Sequence, residues 1–273
     1  MTAARRNRFN IKLTQMITGF NKYQGTGNDF IIIDNRTLQF EADNTGLISR
    51  MCDRRFGIGA DGLILVSALK GYDYEMKYFN SDGRESTMCG NGGRCTAAFA
   101  ARHGIAGKDQ RFRAIDGQHN ATVLENQVRL SMNDVTDITT VNGNFFLNTG
   151  SPHYIVPVND ANGTDVFSEG RKLRYSEPFA PGGTNVNFVE FGRQGIFVRT
   201  YERGVEDETL SCGTGVTASA IASVLSGHFV KGNIDVSTKG GKLNVEFRQE
   251  GKRITGIWLT GPATFVFDGV IEI

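Results

Sequence analysis

The sequence is poor in the features that mark several large classes of protein. Its 273 residues include only 5 prolines, and no apolar run approaches the roughly 20 residues that a membrane-spanning helix needs. The formal net charge is +1, because 30 basic residues are balanced by 29 acidic ones. This balance provides no strong field for nucleic acid or an anionic membrane, and it suits a small neutral or zwitterionic ligand better.

Cysteine is also scarce, with Cys52, Cys89, Cys95 and Cys212 in the whole chain. The basic, polar N-terminal segment lacks the apolar stretch of about 7–15 residues that a secretory signal requires. We therefore expect a disordered leader over residues 1–15 and reduced thiols in a cytoplasmic protein. The cysteines and the four histidines show no CxxC or HxxxH spacing, so no metal site is expected.

Glycine, by contrast, is abundant at 34 residues, and glycine-rich turns reveal an internal repeat. TGNDFIII, which starts at Thr26, reappears as TGSPHYIV from Thr149. Cys89-Gly-Asn-Gly reappears as Cys212-Gly-Thr-Gly, and both pairs are separated by the same 123 residues without a net gap. A repeat of this length indicates a duplicated domain rather than a solenoid.

The repeat predicts an α+β fold of two similar halves, residues 16–134 and 135–263, with the substrate site between them. The last strand, about residues 264–273, is expected to return to the first half, and the crossover to lie in the polar stretch Asn133–Asn144. The Ala-rich segment after each Cys-Gly-x-Gly turn predicts a helix that starts at the cysteine, and Thr45–Arg55 is a weaker helix candidate. Short apolar or alternating runs predict strands at Phe30–Asp34, Leu63–Ser67, Tyr74–Phe79, Ala121–Leu124, Gln127–Met132, Tyr154–Val158, Val186–Phe191, Ile196–Tyr201, Lys242–Arg248, Ile254–Leu259 and Thr264–Phe267.

The duplicated cysteines suit acid–base chemistry on a small amino acid. At a helix N-terminus, free backbone N–H groups and the helix dipole favour thiolate, and the same N–H groups can hold a carboxylate. Two such turns facing each other would place Cys89 and Cys212 on opposite sides of one α-carbon. One thiolate would then remove a proton while the opposite thiol returns another. The sequence shows no sign of a pyridoxal phosphate site, so preorganised N–H donors must stabilise the developing dianion.

The repeat also pairs residues of different chemistry, which marks positions where function has replaced packing. His153 stands opposite Phe30, and the same offset pairs Tyr78-Phe79-Asn80 with Tyr201-Glu202-Arg203. Arg203 suits a carboxylate, and Glu202 suits an ammonium or the proton of a nearby cysteine. The alternative for His153 is a purely structural role. The alternative for Glu202 and Arg203 is a surface ion pair at a strand end. Cys52 and Cys95, which the repeat does not duplicate, are interpreted as small core residues.

At these residues the chain resembles diaminopimelate epimerases, the bacterial and plant enzymes that interconvert LL- and meso-diaminopimelate for lysine and peptidoglycan. The resemblance runs from about Ile17 to the C-terminus. Its motifs are GTGNDF (Gly25–Phe30), FNSDG (Phe79–Gly83), MCGNGGRC (Met88–Cys95), GSPH (Gly150–His153), GTNVNF (Gly183–Phe188), YERG (Tyr201–Gly204) and SCGTG (Ser211–Gly215).

The resemblance implies two pseudo-symmetric β-barrel-like domains, each wrapping a central helix, with no cofactor and often a homodimer. It implies that Cys89 and Cys212 are the acid–base pair, assisted by His153 and Glu202. The substrate-binding residues that it implies are Asn28, Asn80, Gly90, Asn91, Asn185, Glu202, Arg203, Gly213 and Thr214.

The chain departs from the family pattern at three places. Ser151 stands where members often have Asn, Gly62 stands where some branches have Gln, and the loop Gly204–Ser211 is one residue longer than usual. Individual substrate contacts are expected to change there.

Two kinds of alternative remain open. A proline racemase or hydroxyproline epimerase also has paired cysteines, but typically carries His where this chain has Asn91. A non-catalytic amino-acid binding protein or a thiol redox protein could use the same cleft. Retention of both cysteines argues against the binding protein, and the absence of CxxC argues against the redox protein.

Overall fold

The computed structural model describes residues 17–251 and 253–272, so the predicted leader over residues 1–15 lies outside the described residues. The described part contains four α-helices: α1 (Thr45–Cys52), α2 (Gly90–Arg102), α3 (Val166–Arg174) and α4 (Gly213–Leu225), with a 3-10 turn at Glu177–Phe179. Its strands are β1 (Ile17–Gly25), β2 (Asn28–Asp34), β3 (Gly62–Ser67), β4 (Tyr74–Asn80), β5 (Asp109–Ala114), β6 (Gly117–Val123), β7 (Val128–Ser131), β8 (Ile138–Val141), β9 (Asn144–Asn148), β10 (Pro152–Pro157), β11 (Asn185–Phe191), β12 (Gly195–Glu202), β13 (Asp207–Thr209), β14 (Asn233–Thr238), β15 (Gly241–Glu250), β16 (Arg253–Gly261) and β17 (Thr264–Glu272).

The strands form two equivalent half-sheets. In the first, neighbouring strands follow the order β17-β1-β2-β3-β4-β5-β6-β7. In the second, they follow the order β8-β9-β10-β11-β12-β14-β15-β16, and β13 also pairs with β12. The antiparallel pair of β7 and β16 joins the two half-sheets.

The halves repeat both strand direction and helix position. The pairs β2–β3 and β4–β5 are parallel, as are their counterparts β10–β11 and β12–β14. Helix α2 contacts strands of the first half, and α4 contacts strands of the second. These contacts confirm the predicted α+β fold of two similar domains with a central helix in each.

The largest cluster of buried apolar side chains draws on both halves and surrounds both central helices, with Phe99, Ile221 and Leu259 among its members. Helices α1 and α3 cover the outer faces of the half-sheets in two smaller clusters. In the described residues, no helix is long and apolar enough to cross a membrane. Because both central helices belong to the largest cluster, they pack mainly against one core that the two halves share.

One predicted helix boundary was wrong, and one strand was missed. Helix α1 ends at Cys52 instead of Arg55, because Asp53 has an extended backbone (ψ 126°) and its carboxylate accepts N–H groups of Arg55 and Phe56 at 2.7 Å each. The predicted crossover at Asn133–Asn144 contains strand β8, which pairs with β9 as a hairpin. The sequence of β8 is ITTV and none of its residues is buried, so neither an apolar run nor an apolar–polar alternation marks it as a strand.

The repeat also contains a register shift that a single offset does not show. Ile64 pairs with Tyr78 in the first half, whereas Asn187, 123 residues after Ile64, pairs with Thr200. Thr200 is only 122 residues after Tyr78. Glu202 is therefore the structural counterpart of Asn80, and the predicted pairing of Tyr78-Phe79-Asn80 with Tyr201-Glu202-Arg203 is wrong by one residue. The longer loop before Cys212 restores the offset.

Candidate active site

The central helices α2 and α4 meet at their N-termini, where Cys89 and Cys212 are the N-cap residues. A Cβ added at Gly213 would lie 3.3 Å from the Cα of Gly90, and one added at Gly90 would lie 3.6 Å from the Cα of Gly213. The two turns approach this closely because neither glycine has a side chain. The fold thus brings both predicted cysteines to one place.

Cys89 is half-buried, and its sulfur lies between a donor and an acceptor. The backbone N–H of Gly92 donates to Sγ at 3.5 Å, and Sγ lies 3.6 Å from Oδ1 of Asn28. The amide nitrogen of Asn28 donates to the carboxylate of Asp61, which leaves its oxygen facing the thiol. Burial raises the pKa of Cys89 to about 11 despite the Gly92 hydrogen bond, and the negative charge of Glu202 adds to the rise.

Cys212 is more deeply buried, with 8% of its surface exposed, and its Sγ lies 3.4 Å from the hydroxyl of Thr214. Burial raises the pKa of Cys212 well above its ordinary value, and the charge of Glu202 adds to the rise, while the Thr214 hydroxyl opposes it. The backbone N–H groups of the helix ends lower both thiol pKa values, as expected, but they do not set the net shift. Loss of hydration outweighs the N–H donors.

His153 is fully buried beside the Cys212 turn. Its Nδ1 lies 3.1 Å from Nδ2 of Asn187, and its Nε2 lies 2.9 Å from Oγ1 of Thr214. Burial lowers the pKa of His153 to about 3, and the positive charge of Arg203 lowers it further, so the ring is neutral near pH 7. The histidine reaches Cys212 through the Thr214 hydroxyl.

Glu202 and Arg203 stand where β12 ends, next to the cysteine turns. Thr209 donates to Oε2 of Glu202 at 2.9 Å, while burial raises the pKa of this carboxyl group. Its charge acts on both thiols, so it lies within electrostatic reach of both sulfurs. The backbone N–H of Arg203 donates to Asn185 at 2.8 Å, and among the described residues its guanidinium has no hydrogen-bond or ion-pair partner. A carboxylate is the ligand that such a group prefers.

Asn91 and Asn185 use their side chains to hold the walls of the site. The amide of Asn91 donates to the carbonyl of Ser211 at 3.0 Å and accepts from the buried Arg94 at 2.9 Å, which ties the Cys89 turn to the residue before Cys212. Asn185 donates to Ser151 at 2.9 Å. Ser151, which stands where family members often have Asn, therefore supports this wall of the site.

The remaining predicted positions differ in accessibility. Asn80 is exposed at the end of β4. No side chain fits at Gly62, because an added Cβ would clash with the carbonyl oxygen of Phe79 and the ring of Tyr78. Cys52 and Cys95 are buried in the core, where burial raises the pKa of each to about 12. Between residues 17 and 272, with residue 252 left aside, no cluster of His, Cys, Asp or Glu could hold a metal ion.

Sequence reasoning missed Asn187 and Thr200. The Thr200 hydroxyl donates to Oδ1 of Asn187 at 2.9 Å, and both side chains are buried. A signal for Asn187 was present, because a polar residue inside the otherwise apolar strand of the GTNVNF motif needs a buried partner.

The fold and the paired thiols first define a class. A PhzF-family phenazine biosynthesis protein of Bacillus anthracis matches with a TM-score of 0.76 at 14% identity, covering 94% of this chain and 100% of that chain. A hydroxyproline epimerase of Agrobacterium vitis matches with a TM-score of 0.69 at 12% identity, covering 94% of this chain and 93% of that chain. The chain therefore has the PhzF and proline racemase-like fold, and identities this low extend the likeness no further.

The sequence comparisons then specify the family. The family model for diaminopimelate epimerase matches residues 20–137 and 145–266. A diaminopimelate epimerase of Flavobacterium psychrophilum is 52% identical over 252 residues, which cover 92% of this chain and 98% of that protein. The chain belongs to the diaminopimelate epimerase family. The predicted family and the predicted class of enzyme, an isomerase, are confirmed, and the proline racemase alternative is not favoured.

Proposed function

We propose that this enzyme interconverts LL- and meso-2,6-diaminopimelate without a cofactor, by proton transfer between Cys89, the substrate and Cys212. The contact between Gly90 and Gly213 carries this proposal, because it holds the two cysteine-capped helix ends at one site. Family membership supports the substrate and its place in lysine biosynthesis.

The two sulfurs act as one pair. The charge of Cys89 is among the causes that raise the pKa of Cys212, so a thiolate at one position disfavours a thiolate at the other. A pair with one thiolate and one thiol is the state that a two-base epimerase needs. Because burial raises both pKa values, the thiolate that forms is a stronger base than it would be in water.

In the proposed reaction, the thiolate takes the α-proton, so that an S–H bond forms as the C–H bond breaks. The electron pair moves into the carboxylate and produces a dianion. The backbone N–H groups of Gly90-Asn91 and Gly213-Thr214 would stabilise this charge, since they have no partner within their helices. The opposite thiol then gives its proton to the other face of the carbon and becomes the thiolate.

We assign the remaining roles from position and charge. The guanidinium of Arg203 would hold a substrate carboxylate, and Glu202 would receive an ammonium group or help to move the cysteine protons. Asn28 and Asn80 would contact the substrate at the first half, while Asn91 and Asn185 would contact it as parts of the walls. His153 would assist through Thr214.

We place the domain boundary near residue 134, with residues 16–134 and about 264–273 in the first half and residues 135–263 in the second. The pairing of β17 with β1 supports this division.

We also propose a cytoplasmic homodimer. The exposed apolar side chains of Val266, Phe267 and Val270 on the edge strand β17 support self-association, which light scattering measures directly.

The proposed reaction has a direct test in D₂O under reducing conditions. With LL-diaminopimelate we expect α-deuteration together with formation of the meso isomer, and with proline we expect neither. Cys89→Ser and Cys212→Ser should each lower kcat by about 1000-fold or more, because a hydroxyl is a far poorer acid–base group here. Cys95→Ala is the control and should stay active. Absence of exchange with the folded enzyme, or near-normal turnover in either serine variant, contradicts the proposal.

A further inference from the structure

A buried chain of hydrogen bonds runs from strand β10 to the sulfur of Cys212. The carbonyl of Tyr154 lies 3.4 Å from Nδ2 of Asn187, which lies 3.1 Å from Nδ1 of His153. On the other side of the ring, Nε2 lies 2.9 Å from the Thr214 hydroxyl, which lies 3.4 Å from Sγ of Cys212. Every side chain in this series of hydrogen bonds is at least nine-tenths buried.

The partners of Asn187 set the direction of each bond. A carbonyl oxygen only accepts and a threonine hydroxyl can donate, so the amide nitrogen faces Tyr154 and the amide oxygen faces Thr200. The same nitrogen donates to Nδ1 of His153, which must then be the unprotonated nitrogen of the neutral ring. The proton is left on Nε2, from which it is donated to Thr214. The Thr214 hydroxyl in turn keeps its own hydrogen for Cys212.

The described part of the first half has no such series of hydrogen bonds. At the positions equivalent to His153, Asn187 and Thr200 it has, in that order, Phe30, Ile64 and Tyr78. Phe30 and Tyr78 pack edge to face with ring centroids 5.9 Å apart. The two halves therefore differ right beside the helix N-termini. A Cβ added at Gly92 would contact the side chains of Ile64 and Met76. A Cβ added at the equivalent Gly215 would contact the side chains of Asn187, His153 and Thr200.

We propose that Asn187 is a positioning residue that fixes the Nε2–H form of His153, so that Thr214 donates a hydrogen bond to the sulfur of Cys212. This inference rests on the proposed acid–base role of Cys212. A donor stabilises the thiolate form of the sulfur that it faces. Cys89 differs in its side-chain partner, because Oδ1 of Asn28 accepts from its thiol and only the backbone N–H of Gly92 donates to its sulfur. The duplicated turns thus give the two sulfurs different partners for their protons.

The tautomer can be measured in the unaltered enzyme, without substrate or turnover. Nitrogen NMR of histidine-labelled protein, with the His153 signals assigned by their loss in His153→Gln, should show Nε2 protonated and Nδ1 bare at neutral pH. A proton on Nδ1 overturns the proposal. Because this readout does not depend on catalysis, its failure is distinct from the failure of the epimerase reaction.

Asn187→Asp tests the consequence, because a carboxylate of the same shape pulls the proton to Nδ1 and makes Nε2 an acceptor. In a Cys89→Ala background, the rate of Cys212 alkylation by iodoacetamide across pH reports its thiolate fraction. We expect Asn187→Asp to lower that fraction about ten-fold when Thr214 is present and less than about two-fold in Thr214→Val, since the second substitution has already cut the chain. Equal effects in both backgrounds would show charge alone and overturn the proposal.

Two further readouts separate positioning from simple damage to the core. Asn187→Asp should also give His153 a new ionisation, visible as a pH-dependent shift of its ring nitrogens, which a purely structural role would not create. Thr200→Ser keeps the hydroxyl that holds the amide and should leave the tautomer and the alkylation profile unchanged. A shifted profile in Thr200→Ser, or an unchanged ring in Asn187→Asp, counts against the inference.

Discussion

At the scale of single residues, the two cysteines occupy copies of one turn but have different neighbours. Cys89 faces the amide oxygen of Asn28, while Cys212 faces the hydroxyl of Thr214. An epimerase that acts on both faces of a carbon needs two bases, but the substrate groups on the two sides are not mirror images. Under the proposed mechanism, the two sulfurs would therefore meet the substrate with different side-chain partners.

An ion-pair network centred on Asp29 lies next to Asn28 in the chain. Asp29 binds Lys22 at 2.8 Å and Arg54 at 2.6 Å, and Lys22 also donates to the carbonyl of Gly59. Burial alone would raise the pKa of Asp29, but the hydrogen bonds and charges of Arg54 and Lys22 outweigh it and hold the pKa well below its usual range. The carboxylate therefore stabilises the fold above its unfolded pKa, near 4, and this contribution is lost as the pH falls below that value.

We expect Asp29→Asn to lower the free energy of unfolding by about 2 kcal/mol at pH 7, because Lys22 remains buried without its partner. The deficit relative to wild type should shrink as the pH falls below about 4, because the unfolded wild-type chain takes up a proton there while the folded carboxylate stays ionised. Urea unfolding at several pH values measures both. Asp34 lies on the same strand as Asp29 and forms an exposed pair with Arg36 in the following turn, so Asp34→Asn should change stability by less than about 0.5 kcal/mol. A deficit that does not vary with pH would rule out this electrostatic account.

Site residues could be predicted from the sequence when they stood in a repeated motif. Cys89, Cys212 and His153 stand in motifs that recur at one offset, so the sequence indicated that they belong together. Asn187 and Thr200 could not be paired in advance, because the repeat shifts by one residue between their strands. The raised thiol pKa values could not be predicted either, since burial depends on how both halves close around the turns.

At the scale of elements, helix α4 begins with a glycine packed against the start of α2. A Cβ at Gly213 would lie 3.2 Å from Cδ2 of Leu259 and 3.3 Å from the Cα of Gly90. The leucine is buried in β16, so it has little room to move. A methyl group here would therefore push the two helix ends apart.

We expect Gly213→Ala to lower kcat about ten-fold or more, because the separation of the two sulfurs changes, while the enzyme stays folded. Gly46→Ala is the matched control, since Gly46 also lies in the first turn of a helix and its added Cβ would contact only one atom, at 3.9 Å. That variant should keep full kcat and gain a little stability. Steady-state kinetics with thermal unfolding measures both. Unchanged kcat in Gly213→Ala would show that the glycine contact does not set the geometry of the site.

Strand prediction succeeded where one face of a strand is an apolar run and failed where charge alternates. Strand β5, DQRFRA, alternates exposed charged residues with buried Gln110, Phe112 and Ala114, so its hydrophobic half is short. Strand β1 buries Lys22, a residue that ordinarily marks a surface. Tertiary partners, such as Asp29 for Lys22, supply what local pattern does not show.

At the scale of the whole molecule, the seam between β7 and β16 makes one structure of two copies. Leu130 pairs with Leu259 across it, and both are buried in the core cluster that surrounds α2 and α4. The repeat predicted two halves, but it could not predict this seam, because the pairing of β7 with β16 brings together residues about 130 apart in the chain. A site at the meeting of two helix ends depends on it.

We expect the enzyme to unfold in a single calorimetric transition, because the shared core and the continuous hydrogen-bonded strands leave neither half a complete core of its own. The van't Hoff and calorimetric enthalpies should then agree. Leu259→Ala should lower the midpoint by several degrees, at a cost of about 2–5 kcal/mol, and should still give one transition. Its matched control is Val230→Ala, at an exposed position between α4 and β14, where the midpoint should hardly move. Two resolved transitions in the wild-type enzyme would mean that the halves fold independently, and the cysteines would then be held together only by docking.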